Sequence, residues 1–220
     1  MKTIKFLLPP LLFFACLIIM IPFQSCEPDD DNECDTCTTV YKPNIYVYPK
    51  DKIQLTVTLG FPIGGEIVTS IPEYGDGWDV SVEPSGLIDN YFSYLFYESR
   101  QPYVWQTNEG WIIKRVELES FFRKNMTDFG FHGQEIQDFI DYWIPRFKNF
   151  EYYSMYPQTS EIIDDVIELS FSKQPDNLLR LFYVVKGAHN LPNNKLLEPT
   201  INDGFKRVDF FVTEWGVILN

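Results

Sequence analysis

The 220-residue chain is poor in the side chains that most catalytic and metal sites require. It has two histidines, His132 and His189, and four cysteines, so a three-histidine metal site within one chain is excluded. Base is scarce as well: 18 Lys and Arg stand against 31 Asp and Glu, a net charge of −13. A surface this acidic repels nucleic acid and anionic lipid, which excludes polyanion binding through a basic face. Gly60 to Gly65 has the four-residue gap of a phosphate loop, but Glu66 stands where lysine is needed, and its charge would repel phosphate. Gly75-Asp76-Gly77 has no third glycine for a dinucleotide loop, and neither Gly-x-Ser-x-Gly nor His-Glu-x-x-His occurs. No cofactor and no metal are therefore expected. Aromatic side chains, in contrast, are abundant, with 19 Phe, 13 Tyr and 5 Trp. Each buries roughly 150–250 Å² in a core, so the composition is that of a folded domain and not of a disordered chain.

The N-terminus reads as a targeting segment. Lys2 and Lys5 precede an apolar run from Phe6 to Phe23, interrupted by Pro9, Pro10 and Pro22 and followed by Ser25-Cys26. A positive start, a short apolar stretch and a small residue before the cut describe a secretory signal peptide. A transmembrane anchor is the competing reading, opposed by the three prolines and by the immediate cysteine. Ile21-Pro22-Phe23-Gln24-Ser25-Cys26 resembles a bacterial lipoprotein signal in the relaxed form found in Bacteroidetes. That resemblance implies a mature chain beginning at an acylated, palmitate-type Cys26. Residues 27–35 hold six acids and no base, a self-repelling tether. An acidic block at this place also resembles the signal that sends such lipoproteins to the outer face of the outer membrane, with a periplasm-facing lipoprotein as the alternative. The expected organisation is a signal peptide over 1–25, a tether over 26–40 and a single domain over 41–220. Cys34-Asp35-Thr36-Cys37 lies in this acidic stretch, where a low thiol pKa is disfavoured. A local Cys34–Cys37 disulfide is expected in an oxidising compartment, ahead of a redox role.

Within the domain, no repeat or low-complexity stretch occurs. Ile53, Leu55, Val57 and Leu59 alternate with polar residues, as do Trp78, Val80 and Val82, and Gly and Pro clusters between them supply turns, a pattern of antiparallel strands. Tyr91 to Tyr97 is aromatic or apolar at both parities, which fits a central strand before a sugar-stacking platform. Leu118, Phe121, Phe122, Met126 and Phe129 fall at helical spacing before a stop at Gly130, and Ile136, Phe139, Ile140, Trp143 and Phe147 repeat that spacing, with Pro145 expected to kink or end the second helix. The short link predicts an antiparallel helical hairpin with Phe139 and Trp143 facing the sheet and Asp138 and Asp141 facing outward. His132 is read as the cap of the second helix, with Glu135 reciprocating, ahead of a general base. Strands resume at 166–171, 178–185 and 208–213, and residues 187–204 form a long connection, either mobile or ligand-binding. The fold class is α+β: a mainly antiparallel, sandwich-like β-sheet with an inserted antiparallel helical hairpin.

Lys42-Pro43-Asn44-Ile45-Tyr46-Val47-Tyr48-Pro49 resembles the opening signature, Lys-Pro-x-Ile-Tyr-x-Tyr-Pro, of a bacterial family of secreted and lipid-anchored proteins. The likeness continues through Gly77-Trp78, Tyr94-Leu95-Phe96-Tyr97-Glu98, Tyr142-Trp143-Ile144-Pro145, Arg180-Leu181-Phe182 and Glu214-Trp215-Gly216, and departs at Val217, where a second glycine is usual. It implies the same address as the leader and brings no activity or catalytic residue with it.

Parity singles out three charges on otherwise apolar strand faces: Glu98 with Tyr94 and Phe96, Arg180 with Leu178 and Phe182, and Glu214 with Phe210 and Val212. Such charges must be paired, hydrated or at a strand end. Glu98 and Glu214 can close their strands in solvent, or converge on Arg180 in a structural ion cluster. They can also form the acid/base pair that glycoside hydrolases use. Two functions follow. The first is a surface-exposed, non-catalytic module that binds a glycan, peptide or envelope protein. The second is a small glycan-directed hydrolase working through Glu98 and Glu214, with Asp141 as a further candidate.

Overall fold

The computed structural model describes residues 37–201 and 204–220; the leader, Cys26 and Cys34 lie outside them. In chain order the strands and helices are β1 (Cys37–Tyr48), β2 (Ile53–Gly60), β3 (Glu66–Ile71), β4 (Trp78–Val82), β5 (Leu95–Pro102) and β6 (Trp111–Lys114). A single 3-10 turn then leads into α1 (Leu118–Phe129), α2 (Gln134–Trp143), β7 (Tyr152–Thr159), α3 (Ser160–Asp164), β8 (Glu168–Phe171), β9 (Asn177–Ala188) and β10 (Phe211–Leu219).

Seven strands form the main sheet in the order β3-β5-β1-β10-β9-β7-β6, and β4-β2-β8 form a second, antiparallel sheet. All pairings of the main sheet are antiparallel except β9 with β10, which run parallel across the long connection. The α+β, sandwich-like architecture with a helical hairpin is therefore the one the periodicity predicts. The main sheet is covered on both faces. Leu55, Val57, Trp78 and Val80 of the small sheet pack with Ile45, Val47, Tyr97, Phe182 and Val212 in one core. Phe122, Phe139 and Trp143 of the hairpin pack with Tyr46, Tyr183 and Trp215 in the other.

The hairpin follows its sequence signals closely. α1 ends where Gly130 takes a left-handed φ of 112° and donates its N–H back to the Met126 carbonyl, the conformation glycine adopts without a steric cost. Phe139 meets the Trp215 ring edge-on at 5.2 Å, a geometry favoured by ring quadrupoles, and packs at a tilt on Phe122 at 4.7 Å. Glu135 accepts from the His132 backbone N–H at 2.9 Å, which is half of the expected exchange. The His132 side chain caps nothing; it is exposed. Glu135 is instead fully buried and pairs with Arg207 at 2.7 Å, tying the long connection to the helix turn. No helix among the described residues is long and apolar enough to cross a membrane.

Three boundaries differ from expectation. β1 opens at Cys37, inside the stretch read as tether, and Cys37 is disulfide-bonded, while its expected partner Cys34 lies outside the described residues. The aromatic run 91–97 is divided: Asp89 and Asn90 have left-handed backbones at φ 49° and 58°, and the strand starts only at Leu95. Asp209 at φ 54° likewise interrupts the expected strand 208–213, so β10 begins at Phe211 and carries Glu214 at its centre.

Candidate functional site

The three charges read from parity do not form one cluster. Glu214 and Arg180 are direct neighbours on the parallel pair β10 and β9, both buried between the two sheets. Arg180 Nε donates to Glu214 Oε2 at 2.5 Å, and its Nη1 donates to Asp164 Oδ1 at 2.6 Å and to the Ile167 carbonyl at 2.6 Å. The second Glu214 oxygen accepts from the Tyr97 hydroxyl at 2.8 Å. Burial lowers the Arg180 pKa, but Glu214, Tyr97 and Asp164 together outweigh it and hold the guanidinium charged. Burial and the same carboxylate push the Tyr97 hydroxyl well above its ordinary value. Nη2 of Arg180 is buried without a partner among the described residues, with the guanidinium 5.9 Å from the Phe182 ring centre. The cluster is thus Arg180, Glu214, Asp164 and Tyr97, a brace that ties three strands of the main sheet to α3 and the turn after it.

Glu98 is not a member. Side chains alternate along a strand, and since Tyr97 reaches Glu214, Glu98 projects from the other face of β5. Asp141 is exposed on α2, accepting from Gln137 at 2.7 Å. Glu98, Glu214 and Asp141 therefore do not converge, and the carboxylate pair that hydrolysis requires is not assembled. Tyr97 was in view in the sequence but hidden by its neighbour's charge; its parity, opposite to Glu98, was the available signal. Asp164 sits on a five-residue helix with no periodicity to announce it.

A second site stands on the Glu98 face, built from the signature segment. β1 bulges between Tyr41 and Asn44, and Lys42 takes a left-handed φ of 57° there, a backbone that lysine rarely adopts and that re-aims its side chain. Its Nζ lies 4.2 Å from the Phe96 ring centre, 4.7 Å from Tyr94 and 5.5 Å from Tyr142. It donates to Asn44 Oδ1 at 3.2 Å and to the Tyr94 hydroxyl at 3.3 Å. The network continues inward, with Asn44 Nδ2 donating to the Tyr46 hydroxyl at 3.4 Å and that hydroxyl to Asp138 at 2.9 Å. Asp138 is consequently half-buried and engaged by the sheet, not turned outward as the helix pattern predicts. Lys42, Asn44 and Tyr46 of the signature are thus one hydrogen-bonded row.

None of the ion pairs among the described residues involves Lys42. Burial lowers its pKa to about 8, against the more distant charges of Asp138 and Glu98, which favour the cation. The ring faces also hold the cation, each contact being worth about 0.5–2 kcal/mol. Lys42 lines an open cleft of about 410 Å³ with Ile71, Tyr91, Phe92, Tyr94, Phe96 and Tyr142, within the range of small-ligand pockets, about 300–1,000 Å³. Tyr91 is 80% exposed and Ile71 54%. The aromatic run is thus divided: Leu95 to Tyr97 are core strand, and Tyr91 to Tyr94, with Phe96, wall a cleft. No cluster of metal-ligating side chains occurs among the described residues. No family model, curated protein or solved structure matches the chain.

Proposed function

We propose that this protein is a cell-envelope lipoprotein, anchored at the outer membrane through an acylated Cys26 and displayed at the surface, whose domain is a non-catalytic binding module. The observation that carries the binding role is the Lys42 cleft. A lysine without an ion-pair partner, under three aromatic rings and beside exposed apolar side chains, is costly to a fold that makes no use of it. The leader, Ser25-Cys26 and the acidic run after it support the address. The sealed state of Glu214 supports binding over hydrolysis.

The test is to probe the mature chain in detergent against glycan and peptide arrays, together with Tyr91→Ala. Tyr91 is 80% exposed, so its removal leaves the fold intact. Binding that falls with Tyr91→Ala, with no accompanying turnover of the bound probe, is the expected result. A bound probe unaffected by the change moves the site elsewhere, and cleavage of the probe ends the non-catalytic reading.

A further inference from the structure

We infer that the Lys42 cleft takes a glycan that carries a carboxylate, an oligosaccharide containing uronic acid. This inference rests on the cleft being the binding site and goes further by naming what fills it. Three features of the cleft lead to that class.

The first is shape. Tyr91, Phe92, Tyr94 and Tyr142 are half-buried or exposed at the cleft. Lys42 lies over the Tyr94 ring and Arg146 over Tyr142, so the exposed ring of Tyr91 is the one most open to the C–H side of a sugar ring. The second is the supply of polar ends. Three of these rings carry hydroxyls, and Ser93 adds a fourth, so an apolar wall with a few hydrogen-bonding groups is in place. The third is charge. The chain has 31 acids and 18 bases, yet the cleft lining holds one base and no acid. The ammonium of Lys42 has three donors, of which Asn44 and Tyr94 take two. One donor and one unpaired charge are left for an acceptor brought by the ligand, and a carboxylate makes the stronger, charge-assisted bond.

The same electrostatics limit the charge that is welcome. Asp138 and Glu98 act on Lys42 from nearby, with Arg146 opposing them, and the whole chain is acidic, so a densely charged phosphate or sulfate polymer is repelled. One carboxylate on each sugar is the compromise that a single lysine can recognise. An extended peptide is the rival occupant, since β3 is an edge strand ending at Ile71 in the cleft. That edge is a poor template for strand addition. Its ladder shifts between Ile67 and Thr69, and Pro72 follows without an N–H to offer.

Calorimetric titration of the mature chain in detergent decides the matter. The probes are oligomers of galacturonic, glucuronic and mannuronic acid, the same oligomers with their carboxyl groups reduced to alcohols, and an acidic apolar hexapeptide. At least one oligouronate is expected to bind saturably, with its reduced form roughly tenfold weaker or worse, the scale of one lost charge-assisted hydrogen bond. Lys42→Met should remove that difference, Lys42→Arg should keep much of it, and Tyr91→Ala should weaken both forms. Circular dichroism of each variant checks the fold. Equal binding of reduced and native oligomers overturns the carboxylate and leaves the cleft standing. Binding of the peptide instead, lost in Tyr91→Ala, overturns the glycan and also leaves the cleft standing. Sugar binding indifferent to both Tyr91 and Lys42, or no binding of any oligouronate, overturns the inference, and the array experiment then judges the cleft separately.

Discussion

At the scale of single residues, the molecule treats its two conspicuous cations in opposite ways. Arg180 is buried and paired: its Nε meets Glu214, and its Nη1 meets Asp164 and the Ile167 carbonyl. Lysine cannot reproduce that planar set of bonds. Arg180→Ala would strand Glu214 in the core beside Tyr97 and should cost roughly 3–5 kcal/mol in urea unfolding. The double change with Glu214→Leu should cost less than the sum of the two single ones, because no buried charge is left alone. Additive effects would show that the pair is not coupled. Lys42 is half-buried, and its pKa is lowered to about 8 from 10.5. A base with a depressed folded pKa costs stability while both states are protonated, below about pH 8. Between pH 8 and 10.5 the unfolded chain holds the extra proton, so stability rises with pH there. Tyr46, Tyr97 and Tyr183, all held well above 10.0, act in reverse once unfolded tyrosines begin to ionise, and stability falls above about pH 10. The urea midpoint should therefore climb from pH 8 toward 10, and Lys42→Met should flatten that climb. A variant with the same climb as the parent would mean that the lysine titrates normally.

At the scale of elements, the helical hairpin is the clearest case of sequence dictating structure. Trp143 is 2% exposed and stacks on Phe147 at 5.4 Å. Trp143→Ala should cost roughly 3–5 kcal/mol in chemical denaturation, whereas a loss under about 1 kcal/mol would show that the face is not core. Both helices were legible because their apolar residues repeat at 3.6 and glycine ends the first. β2 and β4 were legible because their residues alternate cleanly. The elements that escaped did so for identifiable reasons. β7 contains Pro157, which argues against a strand within a sheet. Pro157 stands opposite Tyr183 of β9, but β6 pairs with β7 only as far as Met155, so at Pro157 the strand is an edge. The second half of β5 reads as polar, yet Ser99 and Gln101 are fully buried, and burial of small polar groups leaves no hydrophobic period to detect. In the candidate site, Arg180 and Glu214 were legible as a pair because charge on an apolar face is conspicuous. Lys42 escaped because its place depends on a bulge, and a bulge shifts the register that parity reasoning relies on.

At the scale of the whole molecule, one sheet separates two cores with different duties. The inter-sheet core encloses the Arg180 brace, and the helix-side core carries the Tyr46–Asp138 contact that supports the Lys42 row. β1 touches both, pairs with β5 and β10, and begins at the disulfide-bonded Cys37, so Lys42 sits on an interior strand of the main sheet. Cys37 stands eleven positions after Cys26, a span of at most about 36–40 Å if fully extended. Six acids fall in that interval; with Cys26 acylated, their repulsion of one another and of anionic headgroups would favour extension and keep the domain off the membrane. The tether works only if Cys26 is the anchor. Intact mass measurement of the mature protein should show a chain beginning at Cys26 with acyl mass added, and Cys26→Ala should move the protein from the membrane fraction to the soluble one. A single acyl chain binds a membrane only marginally, so the acyl mass should correspond to more than one chain. A mature protein that keeps residues 1–25, or a Cys26→Ala variant that still sediments with membranes, would end the lipoprotein reading. The domain would then be held by its leader as a span, without losing the cleft.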